Sequence, residues 1–152
     1  MKTDKRCGTI LAVCISKEKG TVKRPIETGE MIEDYGLKGD AHAGSGHRQI
    51  SLLSAESVKA FNEATGAMAE DGDFGENLLV LGLDLKNLPI GTILKTDTVR
   101  LQITQIGKEC HEGCEIRKRT GDCIMPREGV FAKVLRGGTV EPGDLLYIEV
   151  ND

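Results

Sequence analysis

Residues 1–20, MKTDKRCGTILAVCISKEKG, can be read as a secretion signal or as the first strand of a sheet, and the fold follows from the choice. The apolar run is short, is interrupted by Cys7, Gly8 and Cys14, and leads into no small-residue cleavage site, so the pattern predicts a strand over residues 8–16. The chain then continues in the same manner. Short β-type runs at 24–32, 49–53, 77–80, 92–95, 99–106, 130–135 and 145–150 are separated by polar clusters and by many of the 19 glycines. One segment departs from this rhythm. Residues 54–63 set Val58, Phe61 and Ala64 at helical spacing behind a capping Ser54, with Glu56 and Ser57 in the first turn and Gly66 as the stop. A second helical segment is expected at 112–119, where Arg117, Lys118 and Arg119 suit the negative end of a helix dipole.

Two segments echo each other: 88–94, LPIGTIL, and 140–146, VEPGDLL, each with a glycine before a short apolar strand. A turn that needs positive φ before re-entry into a sheet accounts for both. No linker, low-complexity tract or true repeat is present. The expectation is a single, mainly β domain over residues 1–152, a closed or nearly closed β-barrel with one or two short helices.

Composition narrows the function classes. With 39% hydrophobic and 29% charged residues the chain has an ordinary globular balance, but 3% aromatic residues and no Trp leave the core to aliphatic side chains. A net charge of -4 argues against a broad grip on nucleic acid, while a local basic pocket still suits a small anion. No run approaches the roughly 18 apolar residues of a membrane span. Five cysteines allow no complete pairing, so a reducing, cytoplasmic setting with at least one free thiol is expected.

Chemistry concentrates in residues 107–129, GKECHEGCEIRKRTGDCIMPREG, where thiols and cations are packed together. Lys108 and His111 flank Cys110, and a helix opening at Glu112 would add the partial positive charge of its N-terminus, which favours the nucleophilic, metal-binding thiolate. An inert buried thiol is the alternative. Cys110, His111, Cys114 and Cys123 also supply enough donors for tetrahedral zinc, although adjacent Cys and His rarely ligate one ion together. A thiol relay or a protective disulfide with Cys110 is a further option, and Cys7 and Cys14 read as ordinary strand residues.

A second polar constellation is 36–51, GLKGDAHAGSGHRQIS, in which glycines surround Lys38, Asp40, His42, His47 and Arg48. Small residues admit close backbone approach to a ligand, and His, Lys and Arg bind phosphate or polarise a bound group. The pattern fits a binding loop; a flexible surface loop with turn-capping histidines remains open. Asp40 and Glu76 are candidates to orient histidines or turns, Asn77 to fix local backbone hydrogen bonds instead of touching ligand, and residues 70–73 to form a polar loop.

Residues 36–44, GLKGDAHAG, followed by 47–54, HRQISLLS, resemble the signature of the MOSC domain, named after the C-terminal domain of molybdenum cofactor sulfurase. Residues 73–78, DFGENL, resemble that family's FGENL segment, and 129–135 with 138–144, GVFAKVL and GTVEPGD, its C-terminal block. The resemblance implies a β-barrel-like fold and an association with the molybdenum cofactor (molybdopterin), as sulfur carrier or within an oxidoreductase. It also implies a functional cysteine. Cys110 matches it by position, although Lys-Glu-Cys stands where many members have Arg-Pro-Cys. On this basis the expected function is sulfur transfer to the cofactor, or its delivery or use, with Cys110 as metal ligand or sulfur carrier. Lys38, His42, His47, Arg48 and Arg127 would line a site for the pterin phosphate. The expected partners are the cofactor itself and a cofactor-biosynthesis protein or molybdoenzyme, with no nucleic acid or membrane. No pyridoxal-phosphate site is expected in this chain alone, so it should not be a cysteine desulfurase. The alternative is a non-catalytic, zinc-stabilised structural or interaction module.

Overall fold

The first strand, β1 (Cys7–Ile15), is the seam at which a sheet closes on itself. The computed structural model describes residues 7–18, 22–44, 46, 48–107, 124 and 128–149. After β1 come β2 (Arg24–Ile26), β3 (Gly29–Ile32), β4 (Gly36–Leu37), β5 (Ile50–Ser54), helix α1 (Ala55–Thr65) and β6 (Leu78–Leu81). A 3-10 turn at Leu85–Asn87 leads to β7 (Ile93–Lys95), β8 (Arg100–Ile106), β9 (Val130–Arg136), β10 (Gly138–Val140) and β11 (Leu145–Ile148). The ring runs β1, β11, β7, β8, β9, β5, β6 and back to β1, a closed barrel of seven strands. Closure removes the exposed edges that an open sheet would present. Within the ring only β5 and β6 run parallel, and α1 is the crossover that a parallel pair requires. β2 extends the sheet beside the end of β1, and β10, β3 and β4 form a separate three-stranded sheet.

Two apolar clusters sit on opposite faces of the same strands. Ile50 and Leu52 of β5, Leu78 and Val80 of β6, and Val130, Ala132 and Val134 of β9 fill the barrel interior. Their alternates Leu53, Leu79 and Phe131 point outward into a second cluster with Phe61 of α1 and Phe74. The Phe61 and Phe74 rings meet edge to face at 5.1 Å. Strand β1 serves both clusters because of a bulge. Its register against β6 shifts between Ile10 and Ala12, so Ile10 and Val13 point inward while Ala12 and Cys14 join the outer cluster, and Leu11 stays exposed.

The structure corrects three expectations in detail. The run at 24–32 is not one strand: β2 pairs with β1, whereas β3 pairs with β10 and β4 in the other sheet. Gly29 opens β3 close against Leu37, where a β-carbon would lie 2.8 Å from Leu37 Cδ2. The helix begins one residue later than expected and ends at Thr65, and Ser54, although at the N-cap, donates its hydroxyl to the Leu83 carbonyl (3.0 Å) instead of capping. Ala64 is exposed; of the three residues at helical spacing, Phe61 is buried and Val58 packs partly against its cluster. Gly66 stops the helix as expected, in the left-handed conformation (φ 74°), with its N–H donating to the Asn62 carbonyl. The helix expected at 112–119 lies outside the described residues.

The two echoing segments turn out to be structural partners. Gly91 (φ 97°) donates its N–H to the Ile103 carbonyl, and the Ile103 N–H donates back to Thr92. Gly143 (φ 98°) does the same with Ile10, whose N–H returns to Asp144. The strands that follow, β7 and β11, then pair with each other.

Equal backbone conformations need not tolerate substitution equally. At Gly91 nothing lies near a β-carbon, whereas at Gly72 (φ 87°), between α1 and β6, it would overlap the Lys23 carbonyl. Gly91→Ala should therefore cost about 1 kcal/mol, the left-handed strain alone, and Gly72→Ala on the order of 3 kcal/mol or more through added backbone displacement. Urea unfolding midpoints of the two variants check this; equal losses would contradict the packing at Gly72.

Candidate functional site

A lysine ammonium inside a protein must find acceptors for three N–H groups and an opposite charge. Lys23, just before β2, is 1% exposed and finds all of them. Its Nζ lies 2.7 Å from Asp40 Oδ1, 3.2 Å from Ser16 Oγ and 3.1 Å from His42 Nδ1. Asp40 is fixed in turn, because Oδ1 accepts the Ser16 N–H and Oδ2 accepts the His42 N–H. The cluster thus ties the end of β1, the approach to β2 and the 38–49 loop together.

This arrangement decides the state of the half-buried His42. An ammonium only donates, so Nδ1 must accept, which leaves the proton of a neutral imidazole on Nε2. The Lys23 contact therefore favours the Nε2–H tautomer of a neutral His42. Lys23 itself directs its protons to protein atoms.

Beside this cluster stands a second buried charge. Glu76 is fully buried, with Oε2 accepting the Gly72 N–H (2.8 Å) and Oε1 the Phe74 N–H (3.2 Å). Burial raises its carboxyl from the ordinary 4.5 to about 7, the effect of the accepted N–H groups being the weaker one. The next residue, Asn77, accepts from the Ser51 N–H and hydroxyl and donates to the Cys14 carbonyl, so it joins β5, β6 and β1. Asp40 and Glu76 therefore orient turns as expected, whereas Asn77, expected to fix local backbone hydrogen bonds, instead bonds residues distant in sequence.

The other candidates are distributed differently. Lys38 has a 71% exposed side chain and pairs with Glu30 at 3.7 Å, so it does not join the Lys23 cluster. Arg48 is exposed, with its guanidinium carbon 5.9 Å from the centre of the Phe131 ring, a cation–π contact that lays the charge over the outer cluster. His47, Cys110, His111, Cys114, Cys123 and Arg127 lie outside the described residues. The ends of the cysteine segment are described: Gly107 donates to the Gly129 carbonyl, and Ile124 is buried in the cluster that holds Val22, Cys14 and Phe74. Burial, with the Glu76 charge nearby, pushes the Cys14 thiol far above its ordinary range, so Cys14 is an inert strand residue. Among the described residues no three His, Cys, Asp or Glu side chains are grouped to hold a metal ion.

Sequence reasoning passed over Lys23. It stands beside Arg24 and reads as part of a solvated pair; its acid partner is 17 residues away, with no periodic relation to betray it.

Comparison with known proteins agrees with this architecture. The family model described as MOSC domain matches residues 39–147, most of the chain, and the chain belongs to that family. The uncharacterized protein YflK of Bacillus subtilis is 27% identical over 138 residues, 83% of this chain, and the chain spans 61% of that protein's length. The YuaD protein from Bacillus subtilis shares the fold at a TM-score of 0.80 and 20% identity, over 96% of this chain and 97% of that one. YiiM from Geobacillus stearothermophilus gives 0.73 at 21% identity, over 94% and 75% of the two chains. Both structural matches speak for the fold alone. No helix among the described residues is long and apolar enough to cross a membrane.

The buried carboxyl has a measurable signature. Between 4.5 and about 7 the folded chain keeps a proton on Glu76 that the unfolded chain has released, so stability falls as pH rises through this window and levels off above it. The loss is on the order of 3 kcal/mol. Urea unfolding from pH 4 to 8 should show this component in the native chain and not in Glu76→Gln; parallel curves would contradict it.

Proposed function

We propose that this MOSC-domain chain binds the molybdenum cofactor or its sulfur-bearing form and takes part in sulfur transfer to it, its delivery or its use. The observation that carries the reading is the buried Lys23–Asp40 pair with Lys23 Nζ 3.1 Å from His42 Nδ1, which places Asp40 and His42, both within the family-matched span, in one polar cluster. A neutral imidazole with its Nε2–H as donor suits the anionic periphery of a pterin-phosphate metal complex. Cys110 is the proposed soft ligand because it matches by position the functional cysteine that the family resemblance implies. The bound metal would supply oxygen- or sulfur-transfer chemistry.

The chain's own residues have separable tasks. Cys110 is the metal ligand or sulfur carrier, its thiolate favoured by Lys108 and His111 beside it in sequence. His42 donates to ligand oxygen or sulfur, and Asp40 and Lys23 hold its orientation and tautomer. Arg48, exposed over Phe131, and Arg127 and His47 supply charge for the phosphate. A cofactor-biosynthesis protein or a molybdoenzyme is the partner that such a carrier would serve.

Metal and pterin analysis of chain purified from a cofactor-competent host tests the proposal. Molybdenum with pterin is expected, lost in Cys110→Ser with the melting temperature kept, since a hydroxyl is a poor soft ligand. His42→Ala should lower cofactor retention by about 10- to 100-fold, the worth of one hydrogen bond to a charged group. Zinc alone, lost with stability in Cys110→Ser, Cys114→Ser and Cys123→Ser alike, would replace the proposal with a zinc-stabilised structural module.

A further inference from the structure

Glu76 and Lys23 are both buried, both ionisable, and joined through one residue. The Gly72 N–H donates to Glu76 Oε2 at 2.8 Å, and the Gly72 carbonyl accepts the Lys23 N–H at 2.8 Å. The contact is close-packed as well as hydrogen-bonded, because a β-carbon on Gly72 would overlap the Lys23 carbonyl and lie 3.3 Å from Cys14 Sγ. At its other end Lys23 reaches Asp40, Ser16 and His42 Nδ1. A continuous path therefore runs from the Glu76 carboxylate through the Gly72 backbone and Lys23 to the His42 ring.

We propose that Glu76 is a positioning residue for the Lys23–His42 pair, acting through Gly72, so that proton uptake by its carboxyl is transmitted to the His42 imidazole. The ionised carboxylate accepts strongly on both oxygens and holds Gly72 and Phe74 together. A proton on one oxygen weakens that acceptor, the turn from Gly72 to Gly75 relaxes, and the Lys23 backbone moves with the carbonyl it is bound to. The raised value near 7 places this change within physiological pH. Other charged or titratable groups facing this region are Asp71, Asp73 and the Cys14 thiol, with Lys23 itself and then Asp40 and His42 on the far side. The functional meaning rests on the reading of His42 as a ligand donor; the coupling itself does not.

Nuclear magnetic resonance on the cofactor-free chain, labelled with carbon-13 in glutamate and with carbon-13 and nitrogen-15 in lysine, tests the coupling directly. The Glu76 carboxyl and the Lys23 ε-methylene should titrate with one shared midpoint near 7, and Glu76→Gln should abolish the Lys23 inflection. Titration of His42 would also move Lys23, so the inflection must persist in His42→Gln, and this variant decides the matter if Glu76→Gln does not fold. A Lys23 resonance that stays flat while Glu76 titrates, or an inflection that disappears with His42 and not with Glu76, overturns the proposal. Lost cofactor binding with an intact shared midpoint would instead count against the molybdenum reading and leave the coupling standing.

Discussion

A charged ammonium in an interior is tolerated only where the surrounding chain is brought to it, and Lys23 imposes that requirement here. Asp40, Ser16 and His42 come from the loop before β5 and from the end of β1, and the Lys23 backbone is clasped by Gly72 from the loop before β6. Removing either member of such a pair leaves an uncompensated buried charge, typically a loss of 3–5 kcal/mol. The task that the geometry offers the pair is control of the His42 tautomer.

The barrel makes that cluster possible by letting the same strands bury two faces. Interior residues of β5, β6 and β9 pack against one another, while their alternates carry α1 and the return of the cysteine segment at Ile124. The bulge at Leu11 joins the two regimes, turning the second half of β1 so that Cys14 faces the outer cluster and Ser16 reaches Lys23. Without the extra residue every later side chain of β1 would change face.

Much of the strand order was legible because it depends on local pattern: alternation in β8, short aliphatic runs in β5 and β6, and glycines at 91 and 143 that need positive φ. The run at 24–32 misled because both of its halves are β-type, and what distinguishes them is their distant partners, β1 for β2 and β10 with β4 for β3. Ser54 held the cap position, but its hydroxyl donates to the Leu83 carbonyl and accepts no N–H from the first turn, and the amphipathic spacing that included Ala64 ran past the edge of the buried face. In the site, Asp40 and His42 stood out because glycines surround them. Lys38 and Arg48 share the same loop, yet both are exposed and find partners outside the Lys23 cluster, Glu30 and the ring of Phe131.

By itself the sequence determined a mainly β chain, its one described α-helix, the turn glycines and the family signature, since each is written in spacing over a few residues. The closed barrel was expected from the sequence; tertiary structure alone decided which seven strands form the ring and in what order, that β1 bulges at Leu11, and that Lys23 is buried against Asp40. It also decided that Glu76 is shut away from water next to the same lysine. Burial and charge pairing depend on what other segments bring within a few ångströms, and a linear sequence carries no measure of that distance.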